Sequence, residues 1–485
     1  MRSIWKGAIS FGLVTIPVKL YSATEERDVS FHQVHREDGG RIRYKRVCQI
    51  DGEEVPYSDI AKGYELSSGE VVVLTDEDFA DLPLTTSRSI DVLEFVPLDQ
   101  VDPIYFAKSY YLEPDAAGAK PYVLLREALE NSGRVALVKV ALRSRESLAT
   151  LRVRDGVFVL EMMLWPDEIR TPDFAFLDED IDVRQQELKM AESLIESLSG
   201  DFEPEQYADN YREALQALID AEVEGREVVI LTDDDFADLP LSTSRSIDVL
   251  EFVPLEQVDP IYFAKSYYLE PDAAGTKPYV LLREALEKSG RVALVKVALR
   301  QRESLATLRV REGVFVLEMM LWPDEVREAE FGFLDDDIDV RPQELQMAES
   351  LIDTLSGDFQ PEQYSDNYRE ALQSLIEAKV EGREVVQPEQ PASDSGTVVD
   401  LMAALRASVE AARQGRAGSG SADDSATPAR TSTSAAKRGA GKKAAAKSTK
   451  KTVAKSAKPA AKKTATKKTA AKKTVTKRAN ARKSA

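Results

Sequence analysis

The spacing of apolar and polar positions changes period several times along the chain, and it runs through the same succession twice. Residues 87–114, SRSIDVLEFVPLDQVDPIYFAKSYYLEP, are rich in β-branched and aromatic side chains and read as strands. KPYVLLREALENSG (120–133) reads as a short helix stopped by Gly133. RVALVKVALRSRESLATLRVRDGVFVLEMMLW (134–165) reads as two or three strands with a turn near Asp155 and Gly156. QQELKMAESLIESLSG (185–200) and PEQYADNYREALQALIDAEVEG (204–225) have helical spacing, and each closes on a glycine. Residues 1–69 read mainly as strands.

The succession then returns. Residues 70–226 recur as 227–383 at a constant offset of 157, without a gap and with 23 differences. Most are mild, such as Val73/Ile230 and Asp155/Glu312. A solenoid repeats every 20–50 residues or so, so this is duplication of a domain-sized segment. Residues 1–69 have no second copy. The junction VEGREVV (223–229) recurs as 380–386, and its EVV is also how the strand after Gly69 begins, which places the boundary at 226/227.

Beyond residue 386 the pattern changes. QPEQPASDSGT (387–397) is a polar linker. VVDLMAALRASVEAARQ (398–414) has helical spacing, with Val398, Leu401, Met402 and Leu405 on one side. Residues 415–485 are Gly, Ser, Ala, Lys and Thr of low complexity. With almost no large apolar side chains they cannot offset the entropy of ordering, and a disordered tail is expected.

Charge sharpens this division. The 485 residues carry a formal −20, but 19 of the 64 Lys and Arg and none of the 84 acidic residues lie in 431–485. The rest therefore holds 45 basic and 84 acidic residues, a net of −39. An acidic body with a basic tail points to an anionic partner, nucleic acid or a membrane surface. No window approaches the ~18 uncharged apolar residues of a membrane span, so no membrane contact is expected. Lys6, Pro17 and Lys19 interrupt the apolar N-terminus, which reads as mature protein. The single cysteine, Cys48, excludes an intrachain disulfide and suits a reducing cytosol.

Catalytic signals are weak. His32 and His35 read as surface or loop residues, because zinc takes four N/S ligands and Cys48 stands alone. Neither GxxxxGK[ST] nor GxGxxG occurs. CQIDGE (48–53) faintly resembles the Lys-x-Asp-Gly signature of nucleotidyl-transferring ligases, but Gln49 holds the place of the nucleophile, and an amide cannot form that phosphoramide. The expectation is a non-enzyme without cofactor or metal.

The basic residues of the body are more telling. RIRYKR contains Arg41, Arg43, Lys45 and Arg46, and on a strand Arg41, Arg43 and Lys45 share one face. Lys139, Arg143 and Arg145 fall on the odd face of 135–145, while Val138, Val140 and Leu142 take the other. Arg152 and Arg154 share a face in turn. With Lys108, Arg126 and Arg134 these predict a sheet with one apolar and one cationic, phosphate-tracking face. Copy 2 repeats them as Lys265, Arg283, Arg291, Lys296, Arg300, Arg302, Arg309 and Arg311. The tail adds lysine pairs spaced by Ala and Thr, much as in linker-histone tails: Lys442 and Lys443, Lys462 and Lys463, Lys467 and Lys468, Lys472 and Lys473. Without aromatics they imply backbone contact and no base stacking.

SIWKGAISFGLVTIPVKLYSAT (3–24), GYELSSGEVVVLTDEDF (63–79), VDPIYFAKSYYLEP (101–114), SGRVALVKVALRSRESLATLR (132–152) and LEMMLWPDEIR (160–170) resemble the bacterial Ku protein of non-homologous end joining. The Lys/Ala-rich tail is similar to that of actinobacterial members. The resemblance implies an α+β, mainly β, fold: a β-barrel core with an extended bridge and a helical C-terminal arm. It implies two subunits forming a ring on double-stranded DNA ends, gripping the sugar–phosphate backbone, and recruitment of DNA ligase D. It also implies a cytoplasmic, nucleoid-associated protein. The helix at 398–414 resembles the segment used near the ligase, making Leu401, Met402 and Leu405 candidate partner contacts; packing back on the body is the other reading.

The expected organisation is 1–69 as opening strands, 70–226 as core copy 1 and 227–386 as core copy 2 without those strands. The linker (387–397), helix (398–414) and basic tail (415–485) follow. An ordinary member has one copy, and a second core without its opening strands has unpaired edges. Copy 2 then pairs with copy 1 as an intrachain pseudo-dimer, rides as a passenger while copy 1 forms a homodimer, or blocks ring closure. A nucleoid-architectural protein driven by its tail is the alternative function. Truncation after Gln414 is expected to weaken DNA binding mainly at low salt and to leave any preference for ends intact, as measured by titration at two ionic strengths.

Overall fold

The computed structural model describes residues 1–80, 82, 88–142, 145–179, 181–222, 229, 231–232, 235, 246–299, 302–381 and 401–419. The linker (387–397), residues 398–400 and residues 420–485 of the basic tail lie outside the described residues, as do Arg143 and Arg300; residues 415–419, expected in the tail, continue the helix.

Copy 1 is a closed seven-stranded barrel in the order β1-β2-β6-β9-β8-β7-β5. Its strands are β1 (Trp5–Phe11), β2 (Val14–Ser22), β5 (Ser89–Pro97), β6 (Phe106–Pro114), β7 (Arg134–Leu142), β8 (Arg145–Arg154) and β9 (Val157–Met163). The alternation in β1 and β2 directs Ile9, Phe11, Ile16, Val18 and Leu20 inward, all buried. Gly12 takes φ +60° at the turn between them, as a tight hairpin requires. This hairpin closes the barrel. β1 pairs in parallel with β5 through Ala8 to Ser10, and β2 pairs antiparallel with β6 from Val18↔Pro114 to Ser22↔Tyr110.

Residues 24–88 contain little regular structure, against the expectation of strands. Among the described residues there, β3 (Lys62–Glu65), β4 (Val71–Leu74), a short α1 (Asp76–Ala80) and a single 3-10 turn at Tyr57–Asp59 form. Arg41 to Arg46 are not a strand: isolated bridges Val34↔Arg41 and Val47↔Glu54 are the only β contacts beside them, and the side chains are exposed. With no neighbouring strand to pair with, alternation there does not create a ladder.

Copy 2 forms a five-stranded open sheet, β10-β12-β13-β14-β11, in the registers of copy 1. Its strands are β10 (Ile247–Pro254), β11 (Phe263–Leu269), β12 (Arg291–Leu299), β13 (Arg302–Arg311) and β14 (Val314–Met320). The missing hairpin leaves β10 and β11 as edges, as expected from the absent second 1–69.

Each sheet is apolar on both faces. On one face α2 (Ala119–Ser132) covers copy 1, and α5 (Thr276–Ser289) covers copy 2. The other faces meet each other: Val135, Leu137, Leu148 and Val159 of copy 1 pack in one core with Val292, Leu294, Leu305 and Val316 of copy 2. The following helices are exchanged. α3 (Gln185–Ser197) of copy 1 lies on α5 of copy 2, and α6 (Pro342–Thr354) of copy 2 lies on α2 of copy 1. Lys120 reaches Glu344 at 2.8 Å and Lys277 reaches Glu187 at 3.0 Å, one pair per copy. The exchange continues in the backbone: Gly357 donates to Phe95 O at 3.0 Å, and Gly200 donates to Phe252 O at 3.0 Å. Arg134 donates to Gly357 O, and Arg291 donates to Gly200 O.

The last described helix has no counterpart. α8 (Leu401–Ser419) packs on α6 and on the β1–β2 hairpin, where Ser408 Oγ accepts the Leu13 N–H at 2.8 Å. Leu405 is fully buried there and Leu401 packs on the same core. This corrects the partner-contact reading of those two residues, because burying them on the body removes them from a binding face. In copy 2 nothing described covers the corresponding helix: Leu194 of α3 is 58% exposed, whereas its equivalent Leu351 of α6 is 1% exposed.

That contrast gives a direct test. Leu351→Ala is expected to destabilise the protein by about 2–5 kcal/mol, while Leu194→Ala stays within about 0.5 kcal/mol. Denaturant titration of both variants measures the difference.

α7 (Asn367–Glu381) of copy 2 completes the exchange by packing Tyr368, Leu375 and Ile376 on Leu74, at the base of the irregular segment of copy 1. Lys379 ion-pairs with Asp78 beside them. Hydrogen bonding to Lys379, then to Thr75, lowers the Asp78 carboxyl to about 2. Its depressed value means the clamp is complete above the ordinary carboxylate pKa of about 3.9 and is lost as pH falls through about 2. Protection of the α7 amides, taken relative to the unstructured-chain exchange rate at each pH, is expected to fall over that acid range in the native chain. In Asp78→Asn it should be lower already at neutral pH and change less on acidification.

Candidate nucleic-acid interface

The face formed by the odd-numbered residues of β7 and the even-numbered residues of β8 holds Lys139, Arg152 and Arg154, but that face is the contact between the copies. Arg152 Nε donates to Glu161 at 2.8 Å, and its Nη2 pairs with Asp259 of copy 2. Arg154 Nε reaches Asp259 at 3.1 Å. The mirror set is Arg309 with Glu318 at 2.7 Å and with Asp102, and Arg311 with Asp102 at 3.0 Å. Asp102 and Asp259 also cap the turns after them by accepting from the Ile104 and Ile261 N–H groups. Arg152 and Arg309 are buried. Burial pushes the Glu161 and Glu318 carboxyls up, and the facing guanidiniums draw them back. Burying these charges is tolerable only because every guanidinium meets carboxylates. The assignment of Arg152, Arg154, Arg309 and Arg311 to a DNA-facing surface is therefore corrected: their charge is neutralised inside the molecule.

Other candidates are also structural. Lys139 donates to Ser365 O at 3.1 Å, lies 3.7 Å from Glu146 and stands over the Trp165 ring at 5.4 Å. Lys296 repeats this with Ala208 O, Glu303 and Trp322. Each lysine thus ties one sheet to the chain leading into the other copy's last helix, α7 for Lys139 and α4 (Asn210–Glu222) for Lys296. Arg126 and Arg283 donate to Gly156 O and Gly313 O, both at 3.2 Å, fastening α2 and α5 to the β8–β9 and β13–β14 turns. Arg302 is exposed but paired with Glu26 at 3.2 Å and with Asp28. Arg134 and Arg291 bind backbone carbonyls as described above.

A smaller set remains open. Lys108 on β6 and Lys265 on β11 are equivalent residues, both exposed, and they line one cleft where the two strands approach each other. Neither has an ion pair among the described residues. Ala107, Tyr110, Ala264 and Tyr267 form much of the wall between them. Arg145 is exposed at the start of β8. In the irregular segment, Arg41 and Arg43 are exposed without a carboxylate partner among the described residues, Lys45 meets Glu54 at 2.6 Å, and Arg46 stands over the Tyr57 ring at 5.3 Å. The base of this segment is fixed to copy 2: Glu25 N donates to Glu325 O at 2.8 Å, and Arg327 N donates to Ala23 O at 2.9 Å. Paired contacts of this kind were invisible to alternation alone. The signal that could have found the paired set is the spacing of acids: Glu161 sits opposite Thr150 on β9, within reach of Arg152. The cleft of Lys108 and Lys265 is also lined by Glu25, Glu26, Asp28, Glu303 and Glu325, none of which ion-pairs with either lysine among the described residues.

The candidate tail lysines lie outside the described residues. His35 pairs with Asp38 at 2.9 Å, and among the described residues no group of His, Cys, Asp and Glu could hold a metal ion. No described helix is long and apolar enough to cross a membrane.

A closed β-barrel, an incomplete second sheet seated face to face on it and helices exchanged between them define a β-barrel scaffold built by internal duplication. The chain belongs to the Ku family: the family's Ku70/Ku80 beta-barrel domain matches residues 10–190 and 209–347. It is 75% identical over 229 residues to the non-homologous end joining protein Ku of Frankia casuarinae, covering 47% of this chain and 58% of that protein. It is 50% identical over 254 residues to the non-homologous end joining protein Ku of Mycolicibacterium smegmatis, covering 52% of this chain and 80% of the relative. With the Mycobacterium tuberculosis protein of the same name it shares 50% identity over 237 residues, 48% of this chain and 87% of the relative. These alignments each span about half of this chain, in keeping with its doubled core.

If the cleft contacts phosphate, reversing both lysines, Lys108→Glu with Lys265→Glu, weakens binding of short duplexes by about tenfold or more. It also reduces the slope of log affinity against log salt by roughly two. Thermal unfolding is expected to stay unchanged, since neither side chain is buried.

Proposed function

We propose that this chain binds the ends of double-stranded DNA through the sugar–phosphate backbone, without catalysing a reaction, in non-homologous end joining. Membership of the Ku family, with relatives named for that process, carries the reading. The exposed Lys108 and Lys265 and the basic residues Arg41 and Arg43 supply groups suited to phosphate, and none of them reads a base. A sequence-independent contact of this kind depends on charge and groove shape.

The functional unit in this reading is one chain acting as an intrachain pseudo-dimer. Its support is the reciprocity of the contacts: Arg152 to Asp259 answers Arg309 to Asp102, and each pair is related by the offset of 157. An interface in which residue i meets j and j meets i is the signature of a two-fold. Here both halves come from one polypeptide. DNA ligase D is the proposed partner downstream, docking elsewhere than on Leu405, which is committed to the core. The acidic body keeps non-specific contact to chosen surfaces, and the tail adds a salt-sensitive term. Action at the nucleoid follows from DNA binding.

The tail favours a second reading, a nucleoid-architectural protein, because 19 basic residues without an acid bind any DNA. Competition between linear and closed circular DNA of equal length separates the two. End binding predicts preference for the linear form, retained after tail removal. Equal affinity for both forms, lost with the tail, overturns it. Light scattering is expected to give a mass near 53.7 kDa for the free protein; twice that value refutes the single-chain unit.

A further inference from the structure

The two copies offer nearly the same surface in two states, one covered and one bare. In copy 1 the β1–β2 hairpin lies along β5 and β6, with α8 sealing its turn against α6. In copy 2 the residues that would receive such a hairpin are identical in sequence: Ile247 and Asp248 on the β10 side and Tyr267 to Pro271 on the β11 side. Leu269 is only half-buried where Leu112 is fully buried, and Tyr267 is exposed. The face of α3 beside this edge continues the apolar surface, with Met190 75% exposed.

Three features give this surface the character of a seat. The first is backbone: β10 and β11 end their sheet and have no further strand partner among the described residues. The second is charge. In copy 1 Lys19 is held by Glu113 at 3.0 Å and by Asp115 at 3.2 Å, and Tyr21 donates to Glu113 at 2.7 Å. Their equivalents Glu270 and Asp272 have no ion pair among the described residues, so the acidic half of that contact is set out without its lysine. The third is clearance. A Cβ on Gly118 would lie 2.8 Å from the carbonyl oxygen of Pro17 in the hairpin. At Gly275, its counterpart, the nearest atom is 3.4 Å away and belongs to the neighbouring Asp272. Copy 2 thus keeps the glycine needed for close approach of a strand that no described residue supplies.

We infer that the open side of copy 2 is a β-augmentation site for a segment of another polypeptide: an antiparallel hairpin of alternating apolar residues whose second strand carries a lysine near its end. Main-chain pairing supplies affinity, and the Glu270–Asp272 pair supplies register and selects a cationic strand. A second copy of this chain is a poor donor. Each chain owns one hairpin for two seats, and giving it away breaks the seal between Ser408 and Leu13 and bares the donor's own core. The proposal does not depend on DNA binding.

The test uses the full chain and a synthetic peptide of residues 2–24, which contains the hairpin known to fit the equivalent seat. Fluorescence anisotropy of the labelled peptide is expected to show saturable one-to-one binding, with a rise in thermal stability. Gly275→Leu, placed where the backbone is ordinary αR and space is open, is expected to abolish binding without altering the fold. Glu270→Lys with Asp272→Lys should weaken it several-fold, more at low salt than at high. Absence of saturable binding overturns the proposal. So does binding that survives Gly275→Leu, which would mean the peptide displaces the hairpin of copy 1. Concentration-dependent dimerisation blocked by Gly275→Leu would also overturn it, by making a second copy the occupant.

Discussion

A sheet that is apolar on both faces must be covered on both, and this requirement organises the whole molecule. Five strands of each copy carry valine, leucine and methionine on either side. A helix of the same copy covers one side. The only described surface that covers the other side is the sheet of the second copy. Burial of that shared face is the main stabilising term, at roughly 25 cal/mol per Å² of apolar area removed from water. The arginine–carboxylate clusters add orientation to it. Arg152 and Arg309 each reach a carboxylate of their own sheet and one of the other copy, so a shift in register would strand a buried charge.

The exchange of helices follows from the same arrangement. Once the sheets are face to face, the chain leaving each one passes across to the other, and α3 and α6 end on the partner half. The duplication thereby converts what would be contacts between two chains into contacts within one. The cost is asymmetry. One hairpin and one copy of α8 serve two halves, so the half that receives them is a closed barrel and the other an open sheet. Identical text in the two halves therefore has different physical meaning: Leu351 is core and Leu194 is surface.

For function, this arrangement moves the basic residues into two groups. Those at the centre of the strands, where the sheets meet, are neutralised and serve as locks. Lys108 and Lys265 at the strand–strand cleft, Arg145, and Arg41 and Arg43 of the irregular segment are exposed and have no ion pair among the described residues. A count of lysines and arginines on a strand face does not distinguish these groups, because alternation reports which residues share a face and says nothing about what that face meets. The lysines of the tail need no fold to act, since attraction to a polyanion is long-ranged and unspecific.

Periodicity, turn glycines and the repeat at 157 were sufficient for the element order, the duplication, the absence of a second hairpin and the Ku resemblance, because each is written in local spacing or in long matching strings. The strands at β5 to β9, the helices and the stop at Gly133 were legible for that reason. Residues 24–61 were not: their apolar side chains suggested strands, but a strand needs a neighbour, and only isolated bridges form there among the described residues. Which basic residues are paired inside the molecule was also beyond the sequence. Whether Arg152 faces a phosphate or Asp259 is decided by a residue 107 positions away, brought in by packing. The same holds for Leu405, whose helical spacing was plain but whose burial against α6 depends on a surface assembled from both copies. Sequence by itself determined which elements form and which residues share a face; tertiary structure decided which face is inside, because burial depends on what the rest of the chain places against it.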